Sequence, residues 1–124
     1  MGSMNIAVFD TNIVIDALNG IKMANLEYQR YDQVYISLIT WMELMVGINE
    51  DDMFTVDFLH KYFILQPITQ VIAEQAVSIR KQRRIKLPDA IIQATANVYS
   101  ATLVTRNTRD FPKVLPYVRV PYVM

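Results

Sequence analysis

The feature that most constrains this chain is a repeated hand-over, in which a short unbroken apolar run passes straight into a stretch with helical spacing. MNIAVFD (4–10) is the first such run. Apolar residues that do not alternate with polar ones read as a strand buried on both faces, and a parallel sheet covered by helices provides that. TNIVIDALNG follows as a helix closed by Asn19-Gly20. VYIS (34–37) predicts a second strand and ITWMELMVG a helix ending at Gly47. DDMFTVDFLHKYF predicts a helix with acids in its first turn, and FILQPI a third short strand. Thr69 is placed to cap VIAEQAVSIRKQRR, whose apolar positions are Ile72, Ala76 and Ile79. Pro88 suits the N1 position of the helix PDAIIQATANVYS. ATLVT gives a fourth strand, and VRVPYV a fifth at an edge, where Pro121 is tolerated. The alternation predicts one domain, an α/β sandwich around a mostly parallel sheet of four to five strands.

The totals agree with a single domain over residues 4–124. A chain of 124 residues with 52% hydrophobic content can bury a core. Met1-Gly2-Ser3 ahead of Met4 reads as an expression-tag remnant. No run spans a bilayer, no signal peptide is evident, and the absence of cysteine removes disulfides and thiolate metal sites, which fits the cytoplasm. Net charge is zero, but residues 1–62 carry three Lys/Arg against nine Asp/Glu, and residues 63–124 the reverse. Such asymmetry suits a protein that handles a polyanion, unless folding simply intermixes the halves.

Ligands of parallel sheets bind beyond the carboxyl ends of the strands, and acids gather at those positions. Asp10 ends the first strand, and Glu43 lies early in the helix after the second. Asp89 opens the helix before the fourth strand, and Asn107 and Asp110 follow that strand in TRNTRD. Each has a structural explanation. Thr40-x-x-Glu43 matches a capping box, Asp89 complements a helix dipole, and Asp10 or Thr11 can cap the first helix. Together they are harder to explain, because capping needs no concentration of charge on one rim. Several hard oxygen donors without Cys or a nearby His describe a site for Mg²⁺ or Mn²⁺.

VFDTNIVID, ITWMELMVG, LPDAIIQATA and LVTRNTRDF, in this order, resemble the four sequence blocks of PIN-domain ribonucleases, especially VapC-type toxins. The resemblance runs from about Met4 to Val114. It implies a three-layer α/β/α fold and a Mg²⁺- or Mn²⁺-dependent endoribonuclease, with Asp10, Glu43 and Asp89 matching the metal-holding acids. Asn12 and Thr105 match supporting polar positions. In the fourth block Asn107 stands where the family commonly has an acid, with Asp110 three residues on, so either can complete the site. Asn107 is expected to be the nearer. The resemblance further implies structured RNA, most often transfer RNA, as substrate. It also implies a homodimer and a VapB-like antitoxin whose C-terminal segment covers the acids.

Basic residues adjoin the acidic blocks. RKQRRIK (80–86) places Arg80, Arg83, Arg84 and Lys86 ahead of Asp89, and Arg106 and Arg109 flank the fourth block. They suit RNA phosphates or, equally, solvated helix ends. His60 is the only histidine and reads as a surface or packing residue. Two other function classes remain. A phosphatase with Asp10 as nucleophile wants a second Asp where Asn12 stands. A catalytically degenerate PIN-like interaction module would keep the acids as caps, and Asn107 favours it.

Overall fold

A computed structural model describes residues 4–113 and 115–124; the tripeptide read as a tag remnant lies outside them. Among the described residues eleven elements follow one another, beginning with β1 (Ile6–Phe9), α1 (Thr11–Leu18), α2 (Lys22–Tyr28), β2 (Gln33–Ser37) and α3 (Leu38–Val46). Then come α4 (Met53–Tyr62), β3 (Ile64–Gln66), α5 (Gln70–Gln82), α6 (Leu87–Val98), β4 (Thr102–Val104) and β5 (Val118–Arg119). All strand pairs are parallel, in the order β3-β2-β1-β4-β5. The expected sheet is therefore present, with five strands.

β1 is central, and its Ala7, Val8 and Phe9 are wholly inaccessible to solvent, as an unalternating apolar run requires. Its side chains divide between two cores. Ala7 and Phe9 join Ile13, Val14 and Ala17 of α1, Ala24 of α2, Leu44 of α3 and Leu59 of α4. Val8 joins Ile92 and Ala96 of α6 with Leu103 of β4 and Phe111. On its far side α6 packs against α5 through Ala90, Ala94, Ile72 and Ala76. Helices thus cover both faces in three layers, as the resemblance implied.

The chain runs from β1 outward through β2 to β3, then returns through α5 and α6 to place β4 on the other side of β1. The carboxyl ends of β1 and β4 straddle this reversal, where parallel sheets open a crevice for ligands. The backbone N–H of Asp10 donates to the Val104 carbonyl at 2.9 Å, so the two strand ends lie side by side.

Several local expectations change. α2 was not foreseen. Asp52 caps α4 from outside, its carboxylate accepting the Thr55 N–H, so that helix has no acid in its first turn. Pro88 is the second helical residue of α6, after Leu87, and not the first. The Thr40–Glu43 capping box does not form, because α3 starts earlier and Ser37 caps it by accepting the Ile39 N–H at 3.2 Å. Thr69 does cap α5, and Gly20 takes the positive φ of +76° that ends α1. β5 is shorter than VRVPYV and stops before Pro121.

Candidate active site

Asp10 caps α1 from the end of β1 and is 4% exposed. Three donors hold its carboxylate. The Thr11 N–H reaches Oδ1 at 2.8 Å, while the Thr105 hydroxyl at 2.7 Å and the Asn12 amide at 3.2 Å reach Oδ2. Burial nevertheless outweighs these donors, and with the neighbouring Glu43 charge it leaves the carboxyl above its usual range. Thr105 is fully buried, and its oxygen also accepts the Asn107 N–H at 2.8 Å.

Glu43 extends from α3 on the exposed side of this rim and accepts the Thr11 hydroxyl at 3.0 Å. The Thr11 oxygen lies 3.0 Å from that of Thr40, so with its proton directed to Glu43 it accepts from Thr40. Thr40 therefore supports the site from inside α3 without capping it.

Asp89, in the first turn of α6, has its carboxyl pushed up to about 6. Burial is the largest cause, followed by the charges of Asp10 and Asp110, a hydrogen bond shared with Asp110, and the charge of Glu43. Four carboxylates from four segments thus feel one another at one rim. Asn107 and Asp110 bind each other reciprocally. The Asn107 amide donates to Asp110 Oδ2 at 3.0 Å, and the Asp110 N–H donates to Asn107 Oδ1 at 3.2 Å. Asp110 is the member of this pair that bears on Asp89, with Asn107 holding it. Among the described residues, no group of three acids or histidines converges tightly enough to coordinate an ion unaided.

The basic residues separate into two kinds. Arg106 grips Asp16 in a fork, Nε at 2.7 Å and Nη2 at 3.1 Å, so it is not free for RNA. Arg83 likewise donates to the Gln93 side chain and the Asp110 carbonyl. By contrast Arg80, Arg84 and Lys86 line an open cavity of about 520 Å³ with Arg109, Ile85 and Asp110. Arg109 reaches it from the loop after β4, and Asp110 joins the cavity to the acidic rim.

Sequence reasoning missed Asp16 and Glu27, which are 5% and 3% exposed. Glu27 accepts both Nε (2.6 Å) and Nη2 (3.0 Å) of Arg119, and the Tyr31 hydroxyl at 2.6 Å. The available signal was an acid set among the apolar residues of a helix, as in IVIDAL. These pairs join the acidic half of the chain to the basic half, so folding cancels part of the charge asymmetry. His60 is exposed on α4 and lines cavities with Phe63.

Fold and site together define a parallel α/β domain with an acidic rim at its topological reversal. The PIN domain profile matches residues 7–114, and the chain belongs to the PIN domain family. Ribonuclease VapC of Rickettsia bellii (strain RML369-C) is 31% identical over 120 residues, covering 86% of this chain and 89% of that protein. Ribonuclease VapC10 of Mycobacterium tuberculosis is 32% identical over 111 residues, covering 83% and 84%. Among solved structures, a toxin–antitoxin complex from Klebsiella pneumoniae has a chain 42% identical to this one. The two match with a TM-score of 0.85 over 95% of this chain and 99% of that one. FitAcB from Neisseria gonorrhoeae shares the fold at a TM-score of 0.73 and 24% identity, covering 95% and 99%.

Proposed function

We propose that this protein is a divalent-cation-dependent endoribonuclease and the toxin of a type II toxin–antitoxin pair. The observation that carries the proposal is the rim itself, where burial and the charges of Asp10, Asp110 and Glu43 together hold the Asp89 carboxyl at about 6. Without a cation this arrangement costs stability; with one it becomes favourable. The donors are hard oxygens only, which fits Mg²⁺ or Mn²⁺. Magnesium keeps several waters and needs one or two carboxylates, so a looser acid set suffices. Such a cation activates water near neutral pH and offsets charge developing on a phosphate.

In this reading Asp10, Glu43, Asp89 and Asp110 would share a hydrated cation, without all of them having to bind it directly. Asn12 and Thr105 orient Asp10, and Asn107 orients Asp110. The cavity of Arg80, Arg84, Lys86 and Arg109 suits phosphates flanking the scissile one, giving affinity without base readout. Structured RNA, most often transfer RNA, is the substrate class. The named relatives support the ribonuclease reading, and the toxin–antitoxin complex supports a VapB-like partner. An apolar groove of about 460 Å³ suits that partner, because it runs from Glu43 past Ile15, Leu18 and Leu44 to Phe54. Phe54, one of its lining residues, stands exposed, as does Val46, which precedes the lining Gly47 in sequence.

Cleavage of total RNA by antitoxin-free protein, with Mg²⁺, Mn²⁺ or EDTA, tests the reading. Cutting is expected with either metal and not with EDTA. Asp89→Asn, which nearly preserves shape, is expected to lower the rate at least ~100-fold. Folded wild-type protein that leaves a broad RNA panel intact in both metals would favour the interaction module, for which Asn107 in the fourth block is the specific support.

A further inference from the structure

Asp16 lies one helical turn beyond Asn12 on α1 and takes no part in the acidic rim. Both its oxygens accept the Arg106 guanidinium, and Oδ2 also accepts the Tyr122 hydroxyl at 2.7 Å. Tyr122 comes from the C-terminal segment beyond β5. The fork fixes Arg106 where its backbone N–H donates to Asn12 Oδ1 at 3.2 Å. A primary amide has one acceptor side and one donor side. With the oxygen of Asn12 turned to Arg106, its nitrogen must face the rim, and it donates to Asp10 Oδ2 at 3.2 Å. If Asn12 flipped, its oxygen would meet a carboxylate oxygen, and the Arg106 N–H would face an NH₂ group.

We propose that Asp16 is a positioning residue: braced by the Tyr122 hydroxyl, it holds Arg106 so that the Arg106 N–H fixes the Asn12 amide, which in turn orients the Asp10 carboxylate. The C-terminal segment thereby becomes part of the site although it contributes no group to the rim. Its backbone arrives already fastened, since Arg119 pairs with Glu27 and the Arg119 carbonyl accepts the Thr105 N–H at 3.1 Å.

A structural staple would also bury an Arg–Asp fork, so the test must separate stability from orientation. Arg106→Lys keeps the charge and loses the fork. Tyr122→Phe removes one oxygen from a partly exposed ring and serves should Arg106→Lys fail to fold. The kinetic arm rests on the nuclease reading. Well below the melting temperature, Arg106→Lys is expected to lower kcat about 10-fold with KM within about twofold. In an Asn12→Ala background the same change should lower kcat no further, while its effect on Tm persists. Losses in kcat that multiply across the two backgrounds would overturn the proposal. The second arm needs no catalysis. The side-chain amide resonances of Asn12 in ¹H–¹⁵N spectra should shift in Arg106→Lys, and less in Tyr122→Phe. Unmoved Asn12 resonances in a folded variant would overturn it. Wild-type protein that cuts no RNA would refute the nuclease reading and leave the Asn12 resonances to decide this one.

Discussion

Asp89 is half-buried among three other acids, and its carboxyl at about 6 stands above the 3.8 of an open chain. Between those values the folded protein binds the extra proton, so the stabilising contribution is complete below pH 3.8 and lost as pH rises through about 6. In metal-free protein, Asp89→Asn removes this dependence. Its melting temperature relative to wild type should rise between about pH 4 and 6 and then level off. For a group this exposed, solvent screening leaves on the order of 1 kcal/mol, or about 4 °C in a domain of this size. Thermal scans across pH measure it, and Mg²⁺ should narrow the gap by stabilising wild type more than the variant. The residue types at the rim were legible because acids at strand ends are conspicuous. The roles of Asn107 and Asp110 were not, since two residues three apart in a turn share one neighbourhood. Only the turn geometry sends one carboxylate toward Asp89 and spends the amide in holding it.

At the scale of elements, end signals decided what was readable. α5 has a hydroxyl cap in Thr69, whose oxygen accepts the Ile72 N–H at 3.2 Å, and its start was evident. Thr69→Ala should cost about 1 kcal/mol in urea unfolding with cleavage unchanged. α2 has no such cap: it is only seven residues long, and Ile21 at its N-cap makes no side-chain hydrogen bond. It is held by tertiary contacts, with Ala24 in the core and Glu27 paired to Arg119 across the molecule. Arg119→Ala would leave the buried Glu27 carboxylate with only the Tyr31 hydroxyl at 2.6 Å and the exposed Arg30 at 3.7 Å, and should cost about 2 kcal/mol by the same measurement. The misread capping box has a similar lesson. Thr40 and Glu43 have the right spacing, but Ser37 takes the cap first, and both residues then serve Thr11 on another helix.

At the scale of the whole molecule, the basic residues regroup. Three that are local in sequence, Arg80, Arg84 and Lys86, meet Arg109 from a distant loop, while Arg83 and Arg106 turn to internal partners. Replacing Arg80, Arg84 and Arg109 together by Ala should raise KM for RNA about 10-fold with kcat nearly unchanged. The slope of log affinity against log salt should fall by roughly 2 to 3, as expected when three phosphate contacts are lost. Filter binding with an Asp89→Asn background checks the slope without cleavage.

The sequence alone determined the layered α/β architecture, because periodicity and punctuation are local properties of a chain. It also limited the groups available at the rim to hard oxygens, since the chain has no cysteine and a single histidine. The tertiary structure decided which charges face one another. An ion pair such as Asp16–Arg106 joins residues 90 apart in sequence, and no local pattern carries that distance. Pairing therefore divides the arginines between a free cavity and internal braces, and folding alone fixes that division.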